Sequence, residues 1–376
     1  MKNKIWKKYC KKIKNKFITL DIETQTINNE LIPFTVCFYD GLLRSTKQSF
    51  YLTDYKNSEE MLLDVIESLL KRKYNGYNVY CHNLSSFDGI FLFRLLAIFS
   101  NKNKDKFVTK LTPMYNKKTG KIINLKLNYS PIKNKRTLKY NICFKDSLLM
   151  LPKSLEELAI KFNIESLLRQ PSVSGKKTIF PYNFVNNKYN PNIDLEYIGK
   201  IPSMQYFKKH IDAKDYAKYL LNYTNSQKAR NNASESWSLR EEAIKYCTND
   251  CIILYKVLEN FNKFIFDSFK FNIHDYPTLP SLTMAIHRGL YLKQANAHIP
   301  KITGQIFKDI QKAYYGGHTD MYIAQGEDVI ELDVNGLYPS QMRLLMPTAF
   351  PKYETPQNDE YYIKFFEGDI SLILFF

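Results

Sequence analysis

Asp21 and Glu23 stand two apart in the run FITLDIET. Alternate residues of a strand share a face, so both carboxylates would point the same way. Two oxygen donors on one face suit a hard divalent cation such as Mg²⁺. A second D-x-E, Asp194-Leu195-Glu196, sits in a proline-flanked loop instead of an apolar run. An acid inside FITLDIET is costly to bury alone, which marks Asp21 either as a site residue or as an acid with a structural partner.

Other acids have suggestive neighbours. Asp88 closes the pattern N-x-x-x-F-D that begins at Asn83 and includes Phe87. It falls in the first turn of an expected helix, where the helix dipole would favour an acid in any case. Tyr246 and Asp250 are four apart on a long helical pattern and share a face. An exposed, hydrogen-bonded pair would show the same spacing. Asp333 lies in ELDVNGLYPSQM, which reads as a strand delivering one carboxylate into a turn. A strand ending in an L-Y-P turn needs no aspartate for its structure.

The elements that would position these groups can be read from periodicity. FITLDI, FTVCFYD and SFYL read as strands, with a turn at Asp40-Gly41. SEEMLLDVIESLLKR has helical spacing after an Asn57-Ser58 cap. NVYCHN is a fourth strand, and SSFDGIFLFRLLAIF a second helix after a serine cap. This order is similar to the ribonuclease H-like fold, an α/β (α+β) class that gathers carboxylates at one edge of a mixed sheet. Residues 101–145 read as a Lys-rich loop and a β-ribbon, LPKSLEELAIKF as a helix, and residues 165–235 as loops. WSLREEAIKYCTNDCIILYKVLENFNKFIF is a long amphipathic helix. The composition changes after Tyr276-Pro277, which places a domain boundary near 266–280.

The net charge of +17, from 54 Lys+Arg against 37 Asp+Glu, suits a polyanion. A Lys-, Asn- and Ile-rich composition typical of AT-rich genes also supplies charge without any such function. No run of eighteen apolar residues occurs, so no membrane span is expected. The six cysteines form no C-x-x-C pair, which points away from zinc and toward buried thiols in a reducing interior. Residues 1–16 hold eight Lys and no acid, a basic leader that fits a nucleic-acid-binding arm or a solvated tail.

The ordered set D-x-E, N-x-x-x-F-D and Y-x-x-x-D resembles the three exonuclease motifs of family B DNA polymerases. SLLML, from Ser147, resembles the S-L-x-x-hydrophobic element of the protein-primed members. Tyr314, Gly316 and Gly317 in AYYGGHTD resemble the Y-x-G-G link between exonuclease and polymerase domains. DVNGLYPS resembles the first palm motif, D-x-x-S-L-Y-P-S, with Gly336 where serine is usual.

The resemblance implies roles for these residues. Asp21, Glu23, Asp88 and Asp250 would hold two Mg²⁺ or Mn²⁺ ions about 4 Å apart, one activating water and one steadying the leaving 3′-oxygen. Tyr246 would orient the water. Asn83, Phe87, Ser147 and Leu148 would grip a single-stranded 3′ end. Tyr314, Gly316 and Gly317 would lie along DNA. Asp333 would bind the polymerase metals, aided by the Val334 carbonyl, while Leu337 and Tyr338 would meet the incoming deoxynucleoside triphosphate. The implied partners are single-stranded and primer-template DNA, deoxynucleoside triphosphates and a terminal priming protein, with no membrane. The implied location is the mitochondrion, with an organelle- or plasmid-borne gene.

The expected division is a basic leader at 1–16, a ribonuclease H-like 3′→5′ exonuclease domain at 17–265 and the start of a polymerase palm at 266–376. The later K-x-x-x-N-S-x-Y-G and Y-x-D-T-D-S motifs do not occur, so the palm is expected to be truncated. Two alternatives remain open at the level of sequence. One is a non-catalytic remnant that binds single-stranded DNA, and the other is a free-standing ribonuclease H-like nuclease.

Overall fold

In the computed structural model, the run FITLDIETQTI forms β1 (Phe17–Ile27), and its first residues are almost wholly buried. The structure describes residues 12–42, 48–102, 107–117, 119–133, 136–137, 140–164, 179–207, 216–217, 219–221, 223–224, 236–292, 300–312, 320, 323, 325–344 and 350–353. The chain forms two compact units, Met1–Gly289 and Leu290–Phe376.

In the first unit, Asn28 and Asn29 turn β1 back into β2 (Glu30–Tyr39) with φ of 51° and 66°. Asparagine tolerates this left-handed pair, and the two-residue turn fixes the antiparallel register Ile27↔Glu30. β3 (Ser49–Tyr51) pairs antiparallel with β2. α1 (Ser58–Leu69) starts where the Asn57 side chain accepts the Glu60 amide, and it returns the chain to β4 (Tyr77–Cys81). β4 runs parallel to β1. α2 (Asp88–Lys102) follows, then β5 (Phe107–Tyr115), β6 (Ile122–Lys133), the short β7 (Arg136–Thr137) and β8 (Tyr140–Asp146). The sheet order is β3-β2-β1-β4-β8-β6-β5, with β4 and β8 parallel. This is the mixed sheet expected of a ribonuclease H-like α/β domain.

The alternation of β1 decides which side each acid faces. Ile18, Leu20 and Ile22 join a core with Met61, Val65 and Ile66 of α1 and Leu92 and Leu96 of α2. The intervening residues face the other layer, where α4 (Leu239–Phe269) packs on β1 and β2. Thr19 Oγ1 donates to the Cys251 carbonyl at 2.7 Å, and the Cys247 thiol to the Asp21 carbonyl at 3.4 Å. Between β8 and α4 come α3 (Leu155–Lys161), closed by a Ser154–Glu157 capping box, and the pair β9 (Ile198–Gly199) and β10 (Trp237–Ser238). A second core joins Trp237, Leu239, Ala243 and Tyr246 to Phe34 and Tyr51. α5 (Leu279–Ile286) follows the 3-10 turn Ile273–Asp275, its Thr278–Ser281 capping box closing the start.

Residues 12–16 lead into β1 under two asparagines that read the backbone. Asn272 Oδ1 accepts the Lys14 amide at 2.8 Å, and Asn262 Nδ2 donates to the Lys14 carbonyl at 2.9 Å.

Local readings differ from the sequence in four places. β5 occupies what reads as a Lys-rich loop, because FVTKLTPMY pairs along its whole length with β6. α2 begins at Asp88 without a serine cap, since the Ser85 hydroxyl is committed to Asp146. Trp237-Ser238 belongs to a strand pair, and the long helix starts at Leu239.

The fourth difference lies in the second unit, where ELDV forms no strand. Residues 325–335 are exposed, and among the described residues of this unit no strand pairs with them. An isolated strand has no ladder to join. The unit does contain α6 (Gln305–Lys312) and the five-residue α7 (Leu337–Gln341). Tyr353 donates to Asp309 Oδ2 at 2.7 Å. Among the described residues, no helix is long and apolar enough to cross a membrane.

Candidate active site

β1 outruns its parallel neighbour. Its pairing with β4 ends at Thr19↔Tyr80; beyond that point β2 continues on one side, and on the other the described residues pair with it through the isolated bridge Thr26↔Asn186. The open side beyond Thr19 is where the acids collect. Asp21, Glu23 and, from α4, Asp250 each present one carboxylate oxygen, and these three lie within 4.8 Å of one another. Like charges this close repel in a partly dehydrated site, so a divalent cation among them lowers the energy. All the donors are hard oxygens, the set that Mg²⁺ or Mn²⁺ takes.

Asp88 stands outside that trio, beside Asp21. It is 1% exposed, and its Oδ1 has no hydrogen-bond partner. Burial first, then the Asp21 carboxylate, push its carboxyl well above the usual range, against hydrogen bonds from its own amide and that of Ile22. A buried carboxyl oxygen with no partner, next to an acid cluster, is what a cation site leaves when described by protein atoms alone. The residues present therefore fit a divalent ion.

Tyr246 sits one helical turn before Asp250 and is buried, so the pair is not an exposed surface couple. Burial, then Asp250, push its phenol well up, and it keeps its proton at neutral pH. Its hydroxyl shares a 2.7 Å hydrogen bond with that of Tyr182. The Tyr182 phenol is likewise pushed up, by burial and then by Glu23. The competing D-x-E is structural: Asp194 Oδ1 accepts the Glu196 amide at 2.9 Å, and Glu196 pairs with Arg240 at 2.9 Å.

The loop from β4 to α2 carries Asn83 and Phe87. Asn83 adopts φ 75°, a left-handed turn that asparagine tolerates, and its carbonyl accepts the amides of Ser86 and Phe87 at 3.1 Å each. The Gly89 amide donates to the Leu84 carbonyl at 2.8 Å, and a β-carbon at Gly89 would collide with that oxygen. Phe87 is half-buried and meets Phe91 edge-on at 5.7 Å. Ser147 is buried, its Oγ 2.9 Å from the Cys81 carbonyl and 3.0 Å from His82 Nδ1, while Leu148 is half-buried.

Sequence reasoning missed two residues here. Asp146 ends β8 buried beneath the Asn83 loop, directly before the Ser147 that the sequence did single out. Tyr182 arrives from a loop with no periodicity to place it. In the second unit, Asp333, Leu337 and Tyr338 are all exposed, and Gly336 opens α7 with φ 64°. Tyr314, Gly316 and Gly317 lie outside the described residues.

Residues 68–374 match the profile of DNA polymerase type B, organellar and viral. The chain belongs to this family. It is 33% identical over 355 residues to a probable DNA polymerase of Neurospora intermedia, covering 90% of this chain and 33% of that protein. It is 34% identical over 340 residues to a probable DNA polymerase of Ascobolus immersus, covering 89% of this chain and 25% of that protein. The chain thus spans a quarter to a third of the length of these family members. Among solved structures, phi29 DNA polymerase complexed with single-stranded DNA aligns over 87% of this chain and 44% of that chain, at 17% identity and a TM-score of 0.45.

Proposed function

We propose that this chain carries the 3′→5′ exonuclease of a protein-primed family B DNA polymerase that replicates a mitochondrial plasmid-like element. In this reading residues 17–265 are the exonuclease domain, 1–16 a basic leader, and 266–376 the start of the palm. The observation that carries the proposal is the convergence of Asp21, Glu23 and Asp250, with Asp88 buried beside Asp21. Two acids of one strand and a third from a helix far along the chain meet only where the fold makes them meet, and repulsion would scatter them without a purpose.

These acids would hold a pair of Mg²⁺ or Mn²⁺ ions, which supply Lewis-acid stabilisation of the charge that builds on the scissile phosphate. The chain's own groups do the positioning. Tyr246, steadied by Tyr182, would orient a water toward the phosphate. Phe87 would offer a ring face to the 3′-terminal base, Asn83 a polar grip and Leu148 an apolar contact. The Ser147 hydroxyl is spent on holding Cys81 and His82, so its part is to shape the loop that Leu148 stands on.

Asp333 would take a polymerase metal, and Leu337 and Tyr338 the incoming deoxynucleoside triphosphate. Primer-template DNA and a terminal priming protein complete the set of partners. The net charge of +17 favours the DNA among these partners.

The test is a single-stranded oligonucleotide labelled at its 5′ end. The purified protein with Mg²⁺ should shorten it one nucleotide at a time, and Asp21→Ala/Glu23→Ala should not. Equal release by both proteins, or none by the unaltered chain, would defeat the proposal. Salt-sensitive binding with no cleavage would instead describe a DNA-holding remnant.

A further inference from the structure

Beneath the loop that carries Asn83 and Phe87 lies a buried carboxylate that the reaction does not use. Asp146 is 1% exposed and ends β8, which runs parallel to β4 with Cys81↔Asp146 as the last pair. Its Oδ1 accepts the amides of Asn83 at 3.1 Å and Leu148 at 2.9 Å. Its Oδ2 accepts the Ser85 amide at 2.8 Å, and the Ser85 hydroxyl lies 2.5 Å away, sharing its proton with the Ile122 carbonyl at 2.6 Å. A carboxylate this fully engaged by amide donors has little capacity left for a metal ion.

Its placement gives it another task. The three amides come from two separate segments, the Asn83–Ser85 turn and the Ser147–Leu148 turn. A second link joins the same segments: the Ser147 amide donates to the Cys81 carbonyl at 2.9 Å, and its Oγ meets His82 Nδ1. The left-handed Asn83 is held from below by the Asp146 bond. The two elements that would grip a single strand are therefore fastened to one carboxylate.

We propose that Asp146 is a positioning residue that locks the Asn83–Phe87 loop and the Ser147–Leu148 turn into one single-strand clamp. It acts on strand capture and not on the cutting step. The proposal rests on the exonuclease reading, because the clamp's ligand is that reaction's substrate.

Asp146→Asn tests it. The amide keeps the Oδ1 acceptor for Asn83 and Leu148 but turns an N–H toward the Ser85 donors, releasing that side of the loop. Loss of one ordered base contact, worth about 1–3 kcal/mol, corresponds to about five- to 150-fold in affinity. KM for a single-stranded oligonucleotide should rise about tenfold while kcat stays within about threefold. Kd for the same strand, measured with Ca²⁺ in place of Mg²⁺, should rise in parallel, and Mn²⁺ affinity should not move. Ser85→Ala removes one donor and leaves the carboxylate in place. It should shift KM the same way by a smaller factor, and it decides the matter if Asp146→Asn fails to fold. An unchanged KM in a folded variant overturns the proposal. So does a fall in kcat at constant KM, which would put Asp146 with the metal-holding acids. If the unaltered protein binds the strand but never cuts it, the exonuclease reading fails while the Kd comparison still tests the clamp.

Discussion

The hydroxyls of Tyr182 and Tyr246 lie 2.7 Å apart, in hydrogen-bonding contact, and the charges of Glu23 and Asp250 act on both phenols. Tyr246 is buried and Tyr182 half-buried. Tyr182→Phe should cost about 1 kcal/mol of stability, the usual worth of one hydrogen bond. It should also slow nucleotide release about tenfold in kcat, because Tyr246 loses its support. Tyr246→Phe should do the same, and the double variant should be no worse than the more damaging single one. Additive losses in a double-mutant cycle would show that the two rings act independently.

Asp88 is held neutral-leaning by burial and by Asp21. A carboxyl whose pKa is raised by folding takes stability away as pH rises from its unfolded value toward its folded one, because the unfolded chain ionises more readily. Asp88→Asn should therefore raise the melting temperature of the metal-free protein at neutral pH. Mg²⁺ should stabilise the unaltered protein and do so much less in the variant, since ligand binding to the native state is linked to stability. Melting curves with and without Mg²⁺ check both. A variant that melts lower without metal would contradict the assigned burden of Asp88.

His274 packs against Phe17, the first residue of β1. Its ring stacks on Phe17 at 4.6 Å, and its Nδ1 is 3.0 Å from the Tyr80 hydroxyl. Burial, then Lys145, lower its pKa to about 3, with Lys14 adding to the effect and Asp275 opposing it. The unfolded chain takes up this proton from about pH 6.5 downward, and the folded chain does so only near 3. The stability is full above pH 6.5 and is lost as pH falls toward 3, at about 1.4 kcal/mol per unit. Between pH 7.5 and 5 the unaltered protein should lose about 2 kcal/mol from this group alone. Denaturant titrations of His274→Gln should show a flatter dependence, and an identical slope would remove His274 as the cause.

Gly89 tests the turn that delivers Asp88. A β-carbon there meets the Leu84 carbonyl, which is backbone and has little room to yield. Gly89→Ala should destabilise the protein by about 1–3 kcal/mol, the range for overpacking, and should impair cutting as Asp88 is displaced. Unchanged melting and activity would mean that the loop relaxes freely.

What the sequence shows of all this follows from range. The two-residue period of FITLDIET put Asp21 and Glu23 on one face, and the four-residue step put Tyr246 with Asp250, because those relations are local. The ordered motifs then named the family before any strand was paired. Asp146 and Tyr182 stayed hidden because their meaning is non-local. One is an acid most of whose donors belong to the distant Asn83–Ser85 turn, and the other comes from a segment with no pattern. β5 was missed because its alternation is diluted by Lys110 and Pro113, and only the facing β6 makes it a strand. The strand expected at ELDV failed for the complementary reason, since a suitable pattern had no described neighbour to pair with.

In this reading Asp21, Glu23 and Asp250, with Asp88, form a divalent-metal centre. Titration of Mn²⁺ into the protein with a single-stranded oligonucleotide present, followed by the loss of the free-ion electron-paramagnetic-resonance signal, tests it most directly. Two ions should bind to the exonuclease acids, and both should be lost in Asp21→Ala/Glu23→Ala while the variant still melts cooperatively. The same Mn²⁺ stoichiometry and affinity in the folded variant would contradict it.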